Sequence, residues 1–217
     1  LLGYSEKQGY KVQSSAGEEW ERERRDIPAP TEAVVEAVQE ALKRLIADPE
    51  RPKLHGRPFP LRCLFSSSRV KDAPLLDPRD EDAVIVDFHY LPREERGEEV
   101  WIRRSGEEAF RHRLLWLSGD VEDMRESARE LCRSKKMAEK YKARRESLSP
   151  AKKMLFQQEE NRTDDLAARL RAAVEKTWLE GRLFFRGRPI APLDHGTRFA
   201  QVLAAATTRN LPELFPH

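Results

Sequence analysis

The sequence predicts an α+β fold: a mixed β-sheet with packed helices, one long helix that runs into a β-hairpin, and a winged-helix-like N-terminal piece. Three observations predict it. First, Ser149-Pro150 reads as a helix N-cap followed by a proline at the first helical position, where the missing N–H costs nothing. From there Leu155, Asn161, Arg162, Leu166, Leu170, Ala173, Val174, Thr177 and Trp178 recur at three- and four-residue spacing, one stripe of a helix over about 149–180. Second, Gly181 ends that helix, read as a left-handed cap that glycine accepts at little cost. Leu183-Phe184-Phe185, Arg186-Gly187-Arg188 and Pro189-Ile190-Ala191 then make a hairpin over about 182–191. Third, short apolar runs alternate with helical patterns through the middle third, the signature of a sheet with helices packed on it.

Taken in order, residues 1–27 form one piece and 28–217 an α+β domain. Leu1-Leu2, a turn at Ser5 to Gly9 and Tyr10 to Gln13 read as strand, turn and strand. Ser15-Ala16-Gly17-Glu18 fits a capping box for a short helix that carries Trp20. That succession is either the end of a winged-helix module or a terminal arm. Pro28 and Pro30 break the chain, and Thr31 caps a helix with Val34, Val35, Val38, Ala41, Leu42, Leu45 and Ile46 on one face. A proline-marked connector from Arg51 to Pro60 leads to a strand at Leu61 to Phe65, and Val70 to Asp82 reads as loop. Ala83 to Leu91 is the strongest strand pattern, unbroken apolar at first and alternating later. Val100-Trp101-Ile102 reads as a second strand, Ser105-Gly106-Glu107-Glu108 as the opening of a helix, and Leu114 to Leu117 as a third strand. Val121, Met124, Ala128 and Leu131 mark another helix, and Phe199, Val202, Leu203 and Ala206 a last one.

Composition narrows the function. Of 217 residues 36 % are charged, yet Lys+Arg 40 against Asp+Glu 38 leaves a formal charge of only +2, which argues against polyanion binding by the chain as a whole but not by a local patch. No apolar run approaches the ~20 residues of a membrane-spanning helix. Cys63 and Cys132 stand in neither a metal nor a redox spacing and read as reduced thiols, which points to the cytoplasm. The opening Leu1-Leu2-Gly3 lacks a methionine and a signal-peptide pattern, so the expectation is a piece of a longer protein.

No catalytic residue and no metal site is predicted. A phosphate cradle needs a glycine-rich loop ending in Gly-Lys-Ser/Thr, and none is present. Asp87 closes an apolar strand as in a Walker-B motif, but without that loop it reads as a strand-end aspartate. The histidines at 55, 89, 112, 195 and 217 are scattered; Asp87 and His89 share one side of a strand without a third ligand at a useful spacing. Ser66-Ser67-Ser68 lacks the glycines of a nucleophile elbow. One charge cluster stands out: Arg133, Lys135, Lys136, Lys140, Lys142, Arg144 and Arg145, with Glu139 opposing them and Tyr141 interleaved. Such a helix end can hold nucleic-acid phosphates, with Tyr141 stacking on a base. It can equally be a solvated face whose cations suit a helix C-terminus. Arg182, Arg186 and Arg188 would strengthen the first reading if they converged on the same surface.

Tyr10 to Ser14 followed by Gly17-Glu18-Glu19-Trp20-Glu21-Arg22-Glu23 resembles a junction in the large P-loop ATPase of bacteriophage-exclusion (BREX) systems, the BrxC/PglY family. Arg57 to Pro60, Val84 to Val86, Leu114 to Leu117, Lys135-Lys136, Glu159 to Arg162, Phe184 to Gly187 and Leu214 to His217 fall in a similar order. The resemblance covers nearly the whole chain. It implies a segment downstream of the ATPase core, with ATP and magnesium bound elsewhere in the full-length protein and no cofactor here. The function it implies is a non-catalytic scaffold or coupling module of a phage-defence complex, in contact with partner proteins or DNA. Two other classes stay open: a metal-dependent nuclease-like domain using Asp82, Asp87 and a lysine or histidine, and a plain oligomerisation module.

Overall fold

The computed structural model describes residues 15–80 and 82–216. Its elements are helix α1 (15–26), α2 (Thr31–Leu45), β1 (Lys53–Leu54), β2 (Arg57–Pro58), β3 (Leu61–Ser67), β4 (Ala73–Leu76) and β5 (Val84–Tyr90). They continue with α3 (Glu98–Gly106), β6 (Arg113–Leu117), α4 (Glu122–Lys142), α5 (Pro150–Leu179), β7 (Arg182–Phe185), β8 (Arg188–Ile190) and α6 (Phe199–Leu214). This is an α+β fold with a mixed sheet, as the sequence predicts. The described residues divide into a helical unit, up to residue 37 with 125–170, and a sheet unit, residues 38–124 with 171 onward.

In the sheet unit six strands lie in the order β4-β3-β5-β6-β7-β8. The central three, β3, β5 and β6, are parallel, while β4, β7 and β8 are added antiparallel. Both edge strands carry a proline, Pro74 in β4 and Pro189 in β8. A proline cannot donate to a ladder, so both edges are poor templates for another chain. The register separates two faces. One carries Phe65, Phe88, Trp116 and Leu183 in neighbouring positions. There Phe199 of α6 stacks on Trp116 at 5.0 Å and on Phe88 at 5.8 Å, and Trp178 of α5 meets Phe88 edge-on at 6.2 Å. Burying two indoles requires partners for their N–H groups, and each supplies the other's: Trp116 Nε1 donates to Trp178 O at 2.8 Å and Trp178 Nε1 to Trp116 O at 3.2 Å. The opposite face carries Leu64, Asp87, Leu115 and Phe184 in one row and Ser66, His89 and Leu117 in the next. Its β6–β7 half is apolar, with Leu91, Trp101, Leu115, Leu117 and Phe184 in one core cluster.

The long helix and hairpin form where the sequence places them. Arg186 (φ 49°) and Gly187 (φ 77°) form the two-residue hairpin turn, both left-handed, as the twist of two flanking strands favours. Other readings change. Val100, Trp101 and Ile102 are helical rather than a strand, because α3 opens on Glu98-Glu99, closes on Arg103-Arg104 and buries Trp101 and Ser105 one turn apart. Ser105 and Gly106 therefore end that helix instead of opening one; Ser105 Oγ donates to Ile102 O at 2.9 Å and accepts from Gly187 N at 2.9 Å. The expected loop at 70–82 contains edge strand β4, whose proline hid it. The connector before Pro60 folds into the β1–β2 ribbon about His55 and Gly56. Gly181 has no positive φ, so it is not a left-handed cap.

In the helical unit Ser15 is itself helical, so it is not the cap of α1. The strand pair expected over 1–14 lies outside the described residues. Trp20 of α1 stacks on Tyr141 of α4 at 4.5 Å, and Met137 and Phe156 complete that core. The buried stripe of α5 in this unit runs through Phe156, Glu159, Leu166 and Leu170, whereas Asn161, expected on it, is exposed. A glutamate on a buried stripe needs partners, and Glu159 has them. Its Oε2 accepts from Trp20 Nε1 at 2.8 Å and Arg24 Nη1 at 2.9 Å, and its Oε1 accepts from Ser134 Oγ at 2.5 Å.

Candidate functional sites

The basic stretch occupies roughly the last three turns of α4 and the short connection to α5. Its members are not equivalent. Lys135, Lys136, Lys140, Lys142, Arg144 and Arg145 are exposed, Arg133 is half-buried, and Tyr141 is buried. Arg133 Nε donates to Ile27 O at 3.2 Å, Lys136 Nζ to Pro28 O at 3.0 Å, and Lys140 pairs with Glu23. Arg145 lies over the Phe156 ring at 5.8 Å. Among the described residues Lys135, Lys142, Arg144 and Arg145 have no carboxylate partner. The turn after α4 also brings in Lys152 and Lys153, in the first turn of α5, which the sequence reading did not count.

Tyr141 corrects the sequence expectation. It cannot stack on a base, because its ring is already stacked on Trp20 and its hydroxyl donates to Glu23 Oε2 at 2.7 Å. Its aromatic character, which suggested a nucleic-acid contact, serves the core. Burial, and then the Glu23 carboxylate, push the Tyr141 hydroxyl up to about 12. Burial opposes ionisation of Glu23, but hydrogen bonds from Lys140 and Tyr141 outweigh it and hold that carboxyl below its usual range. Between the ordinary tyrosine value near 10 and this one the folded state keeps a proton that the unfolded state releases. Stability from this contact is thus complete below pH ~10 and lost as pH rises towards 12. Alkaline absorbance titration should show one tyrosine ionising late, and Tyr141→Phe should remove that late component.

The second candidate lies in the sheet unit. A cleft of about 550 Å³ opens over the β3–β5 half of the face that carries Asp87 and His89. Asp87 is 1 % exposed and His89 6 %, while nearby positions on the same face hold Leu115 and Leu117. Ser66 Oγ donates to Asp87 Oδ1 at 3.2 Å. His89 Nε2 lies 2.9 Å from Asp87 Oδ2 but off the line of a good hydrogen bond. Arg113 Nη1 bridges Asp72 Oδ1 at 2.8 Å and Asp87 Oδ2 at 3.5 Å. Burial raises the cost of the Asp87 charge, yet His89, then Arg113 and Ser66, outweigh it and hold the carboxyl below the usual aspartate range.

Comparison with known proteins assigns neither site. The chain matches no family model, no curated protein and no solved structure.

Of the residues considered for nuclease chemistry, Asp87 lines the cleft, whereas Asp82 is a surface residue whose Oδ2 pairs with Arg57 Nη2 at 2.7 Å. The described residues hold no group of three or more His, Cys, Asp or Glu side chains arranged to take a metal ion. Ser66, Ser67 and Ser68 line the same cleft. The Ser66 hydroxyl is engaged with Asp87, and that of Ser67 accepts from Val70 N at 3.2 Å, so neither is poised against His89 as a nucleophile. Arg182, Arg186 and Arg188 belong to the sheet unit and face Glu98 or Glu213. The described residues include no helix long and apolar enough to cross a membrane.

Proposed function

We propose that this chain is a non-catalytic scaffold and coupling segment of a large BREX-like, ATP-binding phage-defence protein, and that it contacts DNA through the basic end of α4. The observation that supports the DNA contact is the set of exposed cations Lys135, Lys142, Arg144 and Arg145 at one helix end, with no carboxylate partner among the described residues. Unpaired cations on the end of α4 and the turn after it meet phosphates without first breaking an ion pair, and they read charge rather than sequence. Arg133, Lys136 and Lys140 are engaged with Ile27, Pro28 and Glu23, so their share is smaller. With Tyr141 in the core, base stacking has no part in the contact. The remaining partners would be other proteins of the defence complex, the compartment the cytoplasm, and ATP with magnesium would bind elsewhere in the full-length protein.

The test is binding of duplex and single-stranded DNA by the purified chain across a salt series, beside a Lys135, Lys142, Arg144 and Arg145 to alanine variant. The affinity should fall steeply with salt, and the variant should lower the log–log slope by roughly 3–4 for the lost phosphate contacts. All four side chains are exposed, so the variant should keep its melting temperature. Absence of binding at low salt, or an unchanged slope in the variant, would exclude the DNA contact.

A further inference from the structure

The cleft above Asp87 and His89 lies outside the DNA-contact reading. The connections that leave the carboxyl ends of the parallel neighbours β3 and β5 diverge: β3 turns outward to β4, and β5 turns the other way through α3 to β6. Divergence at the carboxyl ends of parallel strands opens a crevice, the place where open α/β sheets hold their ligands. Here the cleft is lined from both connections, by Lys71 and Asp72 on one side and Glu94, Glu95 and Gly97 on the other. Helix α3 packs on β6, β7 and β8, so its apolar cover lies toward that side of the sheet. Burying Asp87 and His89 beside that cover is costly in desolvation, and an apolar pair would have served a simple core better.

The wall beside this polar floor, where the Trp101 ring meets the His89 ring at 4.7 Å, is built for recognition. The Arg104 guanidinium lies 4.8 Å from the Trp101 ring and 4.8 Å from the Phe110 ring. Two rings hold it in place, and among the described residues no carboxylate occupies its donors. A fork of N–H donors held in this way meets an oxyanion at little entropic cost. Lys71, also on the cleft and without a carboxylate partner among the described residues, adds a second cation. Val100 lines the cleft as well and is 50 % exposed, an apolar surface left uncovered. Asp72 and Asp87 do not cancel these charges, because Arg113 answers both. Glu94 and Glu95 stand exposed among the lining residues and would repel a polyanion.

We propose that this cleft binds a small molecule with an apolar body and a single anionic group, carboxylate or phosphate, held by Arg104 and Lys71. The size of the cleft suits such a ligand, within the roughly 300–1,000 Å³ of small-molecule sites.

The test uses benzoate and phenyl phosphate as probes, with neutral benzyl alcohol as control, titrated against the isotope-labelled chain and read by NMR at the Trp101 indole. Both anions should bind in the millimolar range and shift that resonance, with benzyl alcohol at least tenfold weaker, as expected for roughly one charge-assisted contact. The stronger of the two probes identifies the anion. Arg104→Ala should weaken both probes about tenfold or more. Val100→Trp keeps every charge and fills the cleft, so it should abolish binding while the melting temperature stays within a few degrees, about 4 °C. No shift up to about 20 mM, equal binding of benzyl alcohol, or binding unchanged in Val100→Trp would overturn the proposal. The Val100 variant also decides the matter if Arg104→Ala fails to fold.

Discussion

Replacing Glu159 with alanine should destabilise the chain by about 3–5 kcal/mol, the usual cost of removing one member of a buried charged network. The side chain of Glu159 is 1 % exposed and that of its partner Arg24 11 %. Truncation leaves the Arg24 guanidinium without its buried partner and the Trp20 indole N–H without an acceptor, and it takes from Ser134 the carboxylate it donates to. The penalty arises more from these orphaned groups than from the loss of the carboxylate itself. Glu159→Gln keeps the volume and one acceptor oxygen and should therefore cost less. The double variant Arg24→Met with Glu159→Leu should recover much of the loss, because no buried charge then lacks a partner. Urea unfolding followed by circular dichroism measures all three. If Glu159→Ala cost less than about 1 kcal/mol, the network would not hold α1 in place.

Gly181→Ala should be the most damaging substitution of a small residue in the sheet unit. A Cβ at position 181 would stand 1.9 Å from the Leu117 carbonyl oxygen, 3.1 Å from its carbon and 3.2 Å from Gly119 N. All three are backbone atoms of the segment that ends β6, so nothing can rotate away. Opposite it, Gly119 donates its N–H to Thr177 O at 2.7 Å, and a Cβ there would meet the same oxygen at 2.9 Å. The two glycines let the end of α5 lie against the end of β6, which starts β7 antiparallel to it. Forcing them apart should cost about 3 kcal/mol or more and lower the melting temperature accordingly. Gly17→Ala is the control: nothing lies within 4 Å of its Cβ, and it sits inside α1. That change should stabilise by up to about 1 kcal/mol through helix propensity and unfolded-state entropy. Equal melting temperatures for the two variants would mean that the approach at Gly181 is not tight.

The contrast between these glycines shows what a sequence can and cannot say. Gly181 was legible as a helix stop, since it follows the last periodic residues of α5. The reason for glycine was not legible: it is a steric limit set by Leu117, a residue far away in the chain. The Val100-Trp101-Ile102 segment shows the reverse. Its β-branched and aromatic residues favour a strand locally, while the flanking Glu98-Glu99 and Arg103-Arg104 favour a helix, and the burial of Trp101 against the sheet resolves the conflict.

By itself the sequence determined the α+β class, the long helix with its hairpin, the central strands and the exposure of most of the basic stretch. Each of these rests on local periodicity, caps and charge, which act within a few residues. Only the tertiary structure decided that Tyr141 belongs to a core, that Glu159 is buried with Trp20, Arg24 and Ser134, and that Asp87 and His89 underlie a cleft with Arg104 on its wall. Most of those placements depend on partners far apart in the chain, as with Trp20 and Glu159 at a separation of 139 residues. Spacing along the chain carries no trace of such pairings, because burial and pairing of polar groups are properties of packed elements rather than of any one element.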